Sequence, residues 1–230
     1  MTSPALIFDL DGTLADTAPD LLSATNAVLA SQGLPHTDLG HLRHMVGFGA
    51  KGLIGRAMEA AGRPVSEAQI PALTEVFLAH YRAHICDGSH LFPGVAETLA
   101  ELKQGGATLA VLTNKPHELA VQLLPKLGID TCFEAVFGAG VKPYAKPDPR
   151  IFHDVTAAAR NGGRGGGQEG GKAVMIGDSI TDLSTARAAG VPCVLFSYGY
   201  TPQPAAGLGA DRVLDDFTAL PGALKELGLL

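Results

Sequence analysis

Asp9 and Asp11 stand one residue apart at the end of the apolar run ALIF, and Asp16 follows within the stretch LIFDLDGTLADT. A buried strand that ends on two carboxylates needs something to offset their charge. Comparable residues recur at other apolar runs. VLTNK ends on Thr113 and Asn114, KPYAKPDP offers Lys142 and Lys146, and MIGDSITD places Asp178 and Asp182. Each has an ordinary structural role when taken alone: an Asp-Gly turn at Gly12, a β residue at Thr113, a solvated charge at Lys146, a helix N-cap at Asp178. Their joint placement favours chemistry. Acids from two strands, a hydroxyl and a lysine that converge on one sheet edge suit phosphoryl transfer, with carboxylates holding a hard cation and Thr and Lys holding phosphate oxygens. A calcium loop does not fit, because Gly12 is fourth rather than sixth in the run and a strand precedes it.

The elements that must position these residues are strands alternating with helices. ALIFDL from Ala5, TLAVLTN from Thr108, EAVFGAG from Glu134, AVMIGD from Ala173 and PCVLFS from Pro192 read as strands, with helical patterns such as GVAETLAELKQGG and SITDLSTARAAG between them. That alternation predicts an α/β fold with a doubly wound parallel sheet, whose ligands collect at the carboxyl ends of the strands. From Asp16 to about Ile85 only amphipathic helical stretches occur, including DLGHLRHMVGFGAKGLIGRAMEAAG and SEAQIPALTEVFLAHYRAHI. We expect residues 16–85 to form a small helical cap inserted into a core of residues 1–15 and 86–230.

Composition narrows the function classes. The chain has 230 residues, 46% hydrophobic and 17% charged, with a formal net charge of −6 and no basic block, which argues against nucleic acid as the main partner. No apolar run approaches the roughly 18 residues of a membrane span, and the N-terminus lacks a signal-peptide pattern, so a cytoplasmic protein, monomer or homodimer, is expected. Cys86, Cys132 and Cys193 fit no metal-ligand spacing and read as reduced thiols. His80 and His84 are four apart on a helix, but Tyr81 stands where a zinc protease would carry Glu. Gly166–Lys172 spells G-x-x-x-x-G-K but is followed by Ala173 and a strand, so the Gly-rich segment Asn161–Lys172 reads as a flexible loop rather than a phosphate cradle. GFGAKG, Gly47 to Gly52, lies inside the helical block with no strand before it and reads as a loop or helix junction near the mouth of the cap.

The motifs DLDGTL, LTNK, KPDP and GDSITD, in that order, resemble those of the haloacid-dehalogenase superfamily of phosphatases across nearly the whole chain. VGFGAKGLIGRAM, FPGVAETLAELKQGGATLAVLTNKP and GDSITDLSTARAAGVP look most like its phosphoglycolate phosphatase group, which carries a helical cap. The resemblance implies a small phosphomonoester as substrate, Asp9 as nucleophile, and Asp11 as the acid that protonates the leaving group and then activates water. It implies a Mg²⁺ cofactor on the Asp9 carboxylate, the Asp11 main-chain carbonyl and Asp178, supported by Asp182. Thr113, Asn114 and Lys146 would bind the phosphoryl group, and Lys142, whose surroundings do not match KPDP, would not. Asp11 also argues against hydrolytic dehalogenation, since a halide leaves without a proton. For a substrate carboxylate at the far end, the cap must supply a donor. Lys51 in GFGAKG is nominated, with Arg43 and Arg56 as competitors. A β-phosphoglucomutase-like mutase, a phosphonoacetaldehyde hydrolase using Lys51 as a Schiff base, and a non-catalytic scaffold are the alternatives.

Overall fold

The computed structural model describes residues 3–47, 49–162 and 171–230. In chain order the first elements are β1 (Ala5–Phe8), β2 (Ala15–Asp16), α1 (Ala18–Ser31), α2 (Leu39–Arg43), α3 (Gly49–Ala60), α4 (Ile70–Ala83) and β3 (His90–Leu91). Next come α5 (Val95–Gln104), β4 (Thr108–Pro116), α6 (His117–Lys126), β5 (Ala135–Ala139) and α7 (Pro149–Arg160). The last are β6 (Ala173–Gly177), α8 (Ile180–Ala189), β7 (Cys193–Phe196), β8 (Arg212–Leu214) and α9 (Leu220–Glu226).

Six strands form one parallel sheet in the order β5-β4-β1-β6-β7-β8. The central strand explains the layering. All four residues of β1 are buried, and the two-residue period sends Leu6 and Phe8 into a cluster with α5, α6 and α9, while Ala5 and Ile7 join α7 and α8 on the opposite face. A parallel strand covered on both faces must be apolar throughout, as ALIF is. The chain runs from β1 outward through β4 and β5, then returns to β6 on the other side of β1 before continuing to β7 and β8. The reversal lies between β1 and β6, where Phe8 is level with Ile176. Ligand-binding residues in open α/β sheets gather at the carboxyl ends beside such a switch.

The helical block α1–α4 leaves and re-enters this frame at one place, because β2 pairs with β3 in antiparallel register, Ala15 with Leu91 and Asp16 with His90. Asp20 fastens the same junction by accepting hydrogen bonds from the Gly88 and Ser89 amides, each at 2.8 Å. Leu21, Ala24 and Val28 of α1 and Leu73, Phe77 and Tyr81 of α4 recur at helical spacing and are buried, which is why these helices pack as a pair. The stretch from Asp38 to Gly62 divides into α2 and α3 rather than continuing as one helix. Gly47 and Gly49 hold φ of 104° and 71° there, a region that side-chain-bearing residues avoid.

His80 on α4 and His84 at the C-cap of that helix bond to Ser23 and Asp87, and the three cysteines are free. Among the described residues no helix is long and apolar enough to cross a membrane. The Gly-rich segment and its P-loop-like string fall mainly at 163–170, outside the described residues.

Candidate active site

Asp9 follows β1 and Asp178 follows β6, so the level register of the two strands makes the carboxylates neighbours. The chain then turns at Gly12, where φ is 82°. The turn brings Thr13 back to donate to Asp178 Oδ1 at 2.9 Å, while the Tyr200 amide donates to Oδ2 at 2.7 Å. Asp9, Asp178 and Asp182, all buried, each offer an oxygen, and these lie within 4.8 Å of one another.

Lys146 threads this cluster. Its Nζ is 2.9 Å from Asp9 Oδ2 and 2.7 Å from Asp182 Oδ1. Asp182 is fully engaged, since its Oδ2 accepts from the Asp178 and Ser179 amides and from Ser179 Oγ, closing the N-terminus of α8. Asn114 Nδ2 donates to the Lys146 carbonyl at 3.2 Å, so this side chain holds the lysine's backbone in addition to lining the cavity.

Burial pushes the Asp9 carboxyl up to about 7, the Lys146 ammonium pulls it down, and the charge of Asp182 adds to the upward push. Burial likewise raises Asp178 well above the usual carboxylate range, with Asp182 and Asp9 acting in the same direction. Burial opposes the charge on Lys146, yet Asp182 and Asp9 hold it above its ordinary range. One lysine among three buried carboxylates leaves the cluster short of positive charge. An all-oxygen donor set with that deficit fits a hard divalent cation such as Mg²⁺.

A second ion pair, between buried Lys115 and half-buried Asp11, faces the cap. Asp11 Oδ1 accepts from Thr17 Oγ1 at 2.7 Å and from Lys115 Nζ at 2.9 Å. The same Nζ donates to Tyr81 Oη on α4 at 2.6 Å and lies 4.5 Å from the centre of that ring. Burial works against the Lys115 charge, but Asp11 and Tyr81 hold the ammonium above its ordinary range; burial pushes the Tyr81 phenol up to about 12. A cavity opens between core and cap, lined at its base by Asp9, Asp11 and Thr113 and at its upper wall by Gly47, Gly49 and Ala50.

The structure thus brings Asp9, Asp11, Thr113, Asn114, Lys146, Asp178 and Asp182 together at one sheet edge. Three other residues lie elsewhere. Lys142 pairs with Asp154 at 3.1 Å. Arg43 is bound to Asp16 at 2.6 Å, a carboxylate that also accepts from Tyr200 Oη, so its guanidinium braces the junction between cap and core. Lys51, expected to face the substrate, is exposed. The buried face of α3 is Leu53, Ile54, Ala57 and Met58, and of its first turn Gly49 and Ala50 line the cavity while Lys51 does not.

Reading the sequence missed Lys115, although it closes the run VLTNK; Thr113, Asn114 and Lys115 all line the cavity, at an irregular stretch of β4. Nothing local to the sequence marks Tyr81 or Tyr200, whose partners lie 34 and 184 residues away.

Comparison with known proteins places the chain in a class of hydrolases. Residues 4–190 match the family model of the haloacid dehalogenase-like hydrolases, and the chain belongs to that family. It is 47% identical to a phosphoglycolate phosphatase of Caulobacter vibrioides, over 99% of this chain and 93% of the relative. It is 44% identical to one of Agrobacterium fabrum, over 97% and 93%. The crystal structure of a predicted phosphoglycolate phosphatase from Haemophilus somnus superposes with a TM-score of 0.83 at 29% identity, covering 96% of this chain and 98% of that one.

Proposed function

We propose that the protein is a Mg²⁺-dependent phosphatase that hydrolyses 2-phosphoglycolate through an aspartyl-phosphate on Asp9. The observation that carries this reading is Asp9 at the open base of the cavity, in contact with Lys146 and within 4.8 Å of Asp178 and Asp182, with Asp11 beside it. The names of the relatives support the choice of ester.

The Asp9 and Asp178 carboxylates and the Asp11 main-chain carbonyl would hold Mg²⁺. The ion supplies charge neutralisation between the carboxylate and the phosphate dianion. Asp182, with both oxygens occupied, supports from behind. An Asp9 oxygen attacks phosphorus and the ester P–O bond breaks. Asp11 gives its proton to the departing alkoxide. The resulting Asp11 carboxylate then takes a proton from water, whose oxygen attacks the same phosphorus, releasing inorganic phosphate and restoring Asp9. Thr113, Asn114 and Lys146 hold the transferring group. We take residues 16–85 as the cap that excludes water during these steps and residues 1–15 and 86–230 as the core, in a cytoplasmic protein.

The test is phosphate release from 2-phosphoglycolate, sugar phosphates, pyrophosphate and nucleotides, with Mg²⁺ and after metal stripping. The reading predicts accumulation of inorganic phosphate, greatest with phosphoglycolate, and loss of turnover in excess EDTA. A mutase would accumulate no phosphate, and full activity in EDTA would contradict the role given to the cation.

A further inference from the structure

We infer that Lys115, together with Tyr81, is the residue pair that reads the second anionic group of the substrate, an inference that rests on the phosphatase reading above. Among the described residues lining the cavity, Lys115 is the one cationic side chain. The other buried lysine, Lys146, lies between Asp9 and Asp182, at the position assigned above to the transferring phosphoryl group.

Position strengthens the assignment. Asp11 is the group that meets the leaving oxygen, and Lys115 Nζ is hydrogen-bonded to Asp11 at 2.9 Å on the side facing the cap. A substituent two carbons from the phosphorus-bound oxygen has to extend past Asp11 toward that ammonium. The ammonium has three N–H donors, two of which go to Asp11 and Tyr81. Tyr81 Oη accepts from Lys115, which leaves its own O–H to donate. One ammonium and one phenol, 2.6 Å apart, therefore present two donors to a single carboxylate. The flanking walls are Leu53 and Phe77, so the pair acts in a poorly solvated setting where a charge-assisted contact discriminates strongly against a neutral group. The substrate class is a short phosphomonoester that carries a carboxylate or comparable anion on its alcohol part. The cap takes part through Tyr81 of α4, and the exposed Lys51 is left outside.

The experiment compares kcat/KM for 2-phosphoglycolate and for ethyl phosphate, which has a similar shape but no carboxylate, in wild type, Lys115→Met, Lys115→Arg and Tyr81→Phe. Wild type should prefer the carboxylate ester. Lys115→Met should shrink that preference by about ten- to a hundredfold and Tyr81→Phe by several-fold, with Lys115→Arg retaining part of it. Equal losses on both esters would overturn the inference and make Lys115 a positioning residue for Asp11. So would a wild type with no preference. Thermal melts identify a variant that fails to fold, and if Lys115→Met does so, the ratios for Lys115→Arg and Tyr81→Phe decide. If wild type hydrolyses neither ester, the phosphatase reading falls. Calorimetric binding of phosphoglycolate to Mg²⁺-loaded wild type and Lys115→Met then decides separately, and an unchanged Kd would overturn the role of Lys115.

Discussion

At Gly12 the backbone adopts a φ of 82°, and a methyl group built there would lie 2.6 Å from Asp178 Oδ2. Two separate requirements meet in one residue: a left-handed turn after Asp9, and a close approach of backbone to Asp178, the carboxylate we propose as a cation ligand. Relieving the strain in Gly12→Ala costs about 1–2 kcal/mol, and relieving the contact moves Asp178. We expect kcat to fall at least about a hundredfold and the apparent Mg²⁺ affinity to weaken with it, measured by phosphate release across a Mg²⁺ titration. Unchanged metal dependence would separate Gly12 from the cation site. Residues of this kind were the legible part of the site. Asp9, Asp11, Thr113, Asn114 and Asp178 announce themselves as polar groups at the ends of apolar runs, Lys146 and Asp182 lie in the loop and helix beyond such runs, and the structure brings all seven to one edge. Lys51 illustrates the limit. A cation in a Gly-rich loop looked suited to an anion, but which way it faces was settled by the packing of Leu53, Ile54, Ala57 and Met58.

Among the elements, the junction between α1, β2 and β3 governs how the cap sits. Asp20 is buried on α1, and its carboxylate accepts from two backbone amides and the Ser89 hydroxyl on the returning chain. Asp20→Ala removes three hydrogen bonds to a charged group, at about 1.5–3 kcal/mol, while the freed donors on exposed Gly88 and half-buried Ser89 can turn to water. Thermal unfolding should register that loss, and KM should rise with it because the helices above the cavity are no longer held. A shift in stability without any change in KM would confine Asp20 to a structural role. The strands and helices of the core could be read from hydrophobic period, since β1, β4, β5, β6 and β7 each carry a compact apolar run. β2 and β3 have two residues apiece, and β8 is a three-residue edge strand containing Arg212, too short or too mixed to produce a periodic signal. The break between α2 and α3 depended on backbone angles at Gly47 and Gly49.

For the whole molecule, the cluster of buried acids couples folding to pH and, on the proposed reading, to the cation it would hold. The Asp9 carboxyl moves from an ordinary 3.8 to about 7 in the folded chain, and Asp178 shifts in the same direction. Between those two values the folded state holds a proton that the unfolded state has released. Stability from this source is therefore complete below about 4 and is lost as pH rises through about 7. A divalent cation competes with the proton for the same oxygens, so the rise in Tm on adding Mg²⁺ should be small near pH 5 and larger near pH 7.5, as scanning calorimetry would read. An increment that does not vary with pH would mean the ion binds elsewhere. The central claim is that Asp9 forms a covalent bond to the phosphoryl group, and Asp11→Asn makes this directly measurable. An aryl phosphate, whose leaving group needs no proton, should still phosphorylate that variant, while hydrolysis of the phosphoenzyme slows for want of a base. Rapid acid quench and peptide mass spectrometry should then find one phosphoryl group per chain, on the peptide containing Asp9. Stoichiometric release of the phenol with no phosphorylated peptide, or with the phosphoryl group on another residue, would contradict the account.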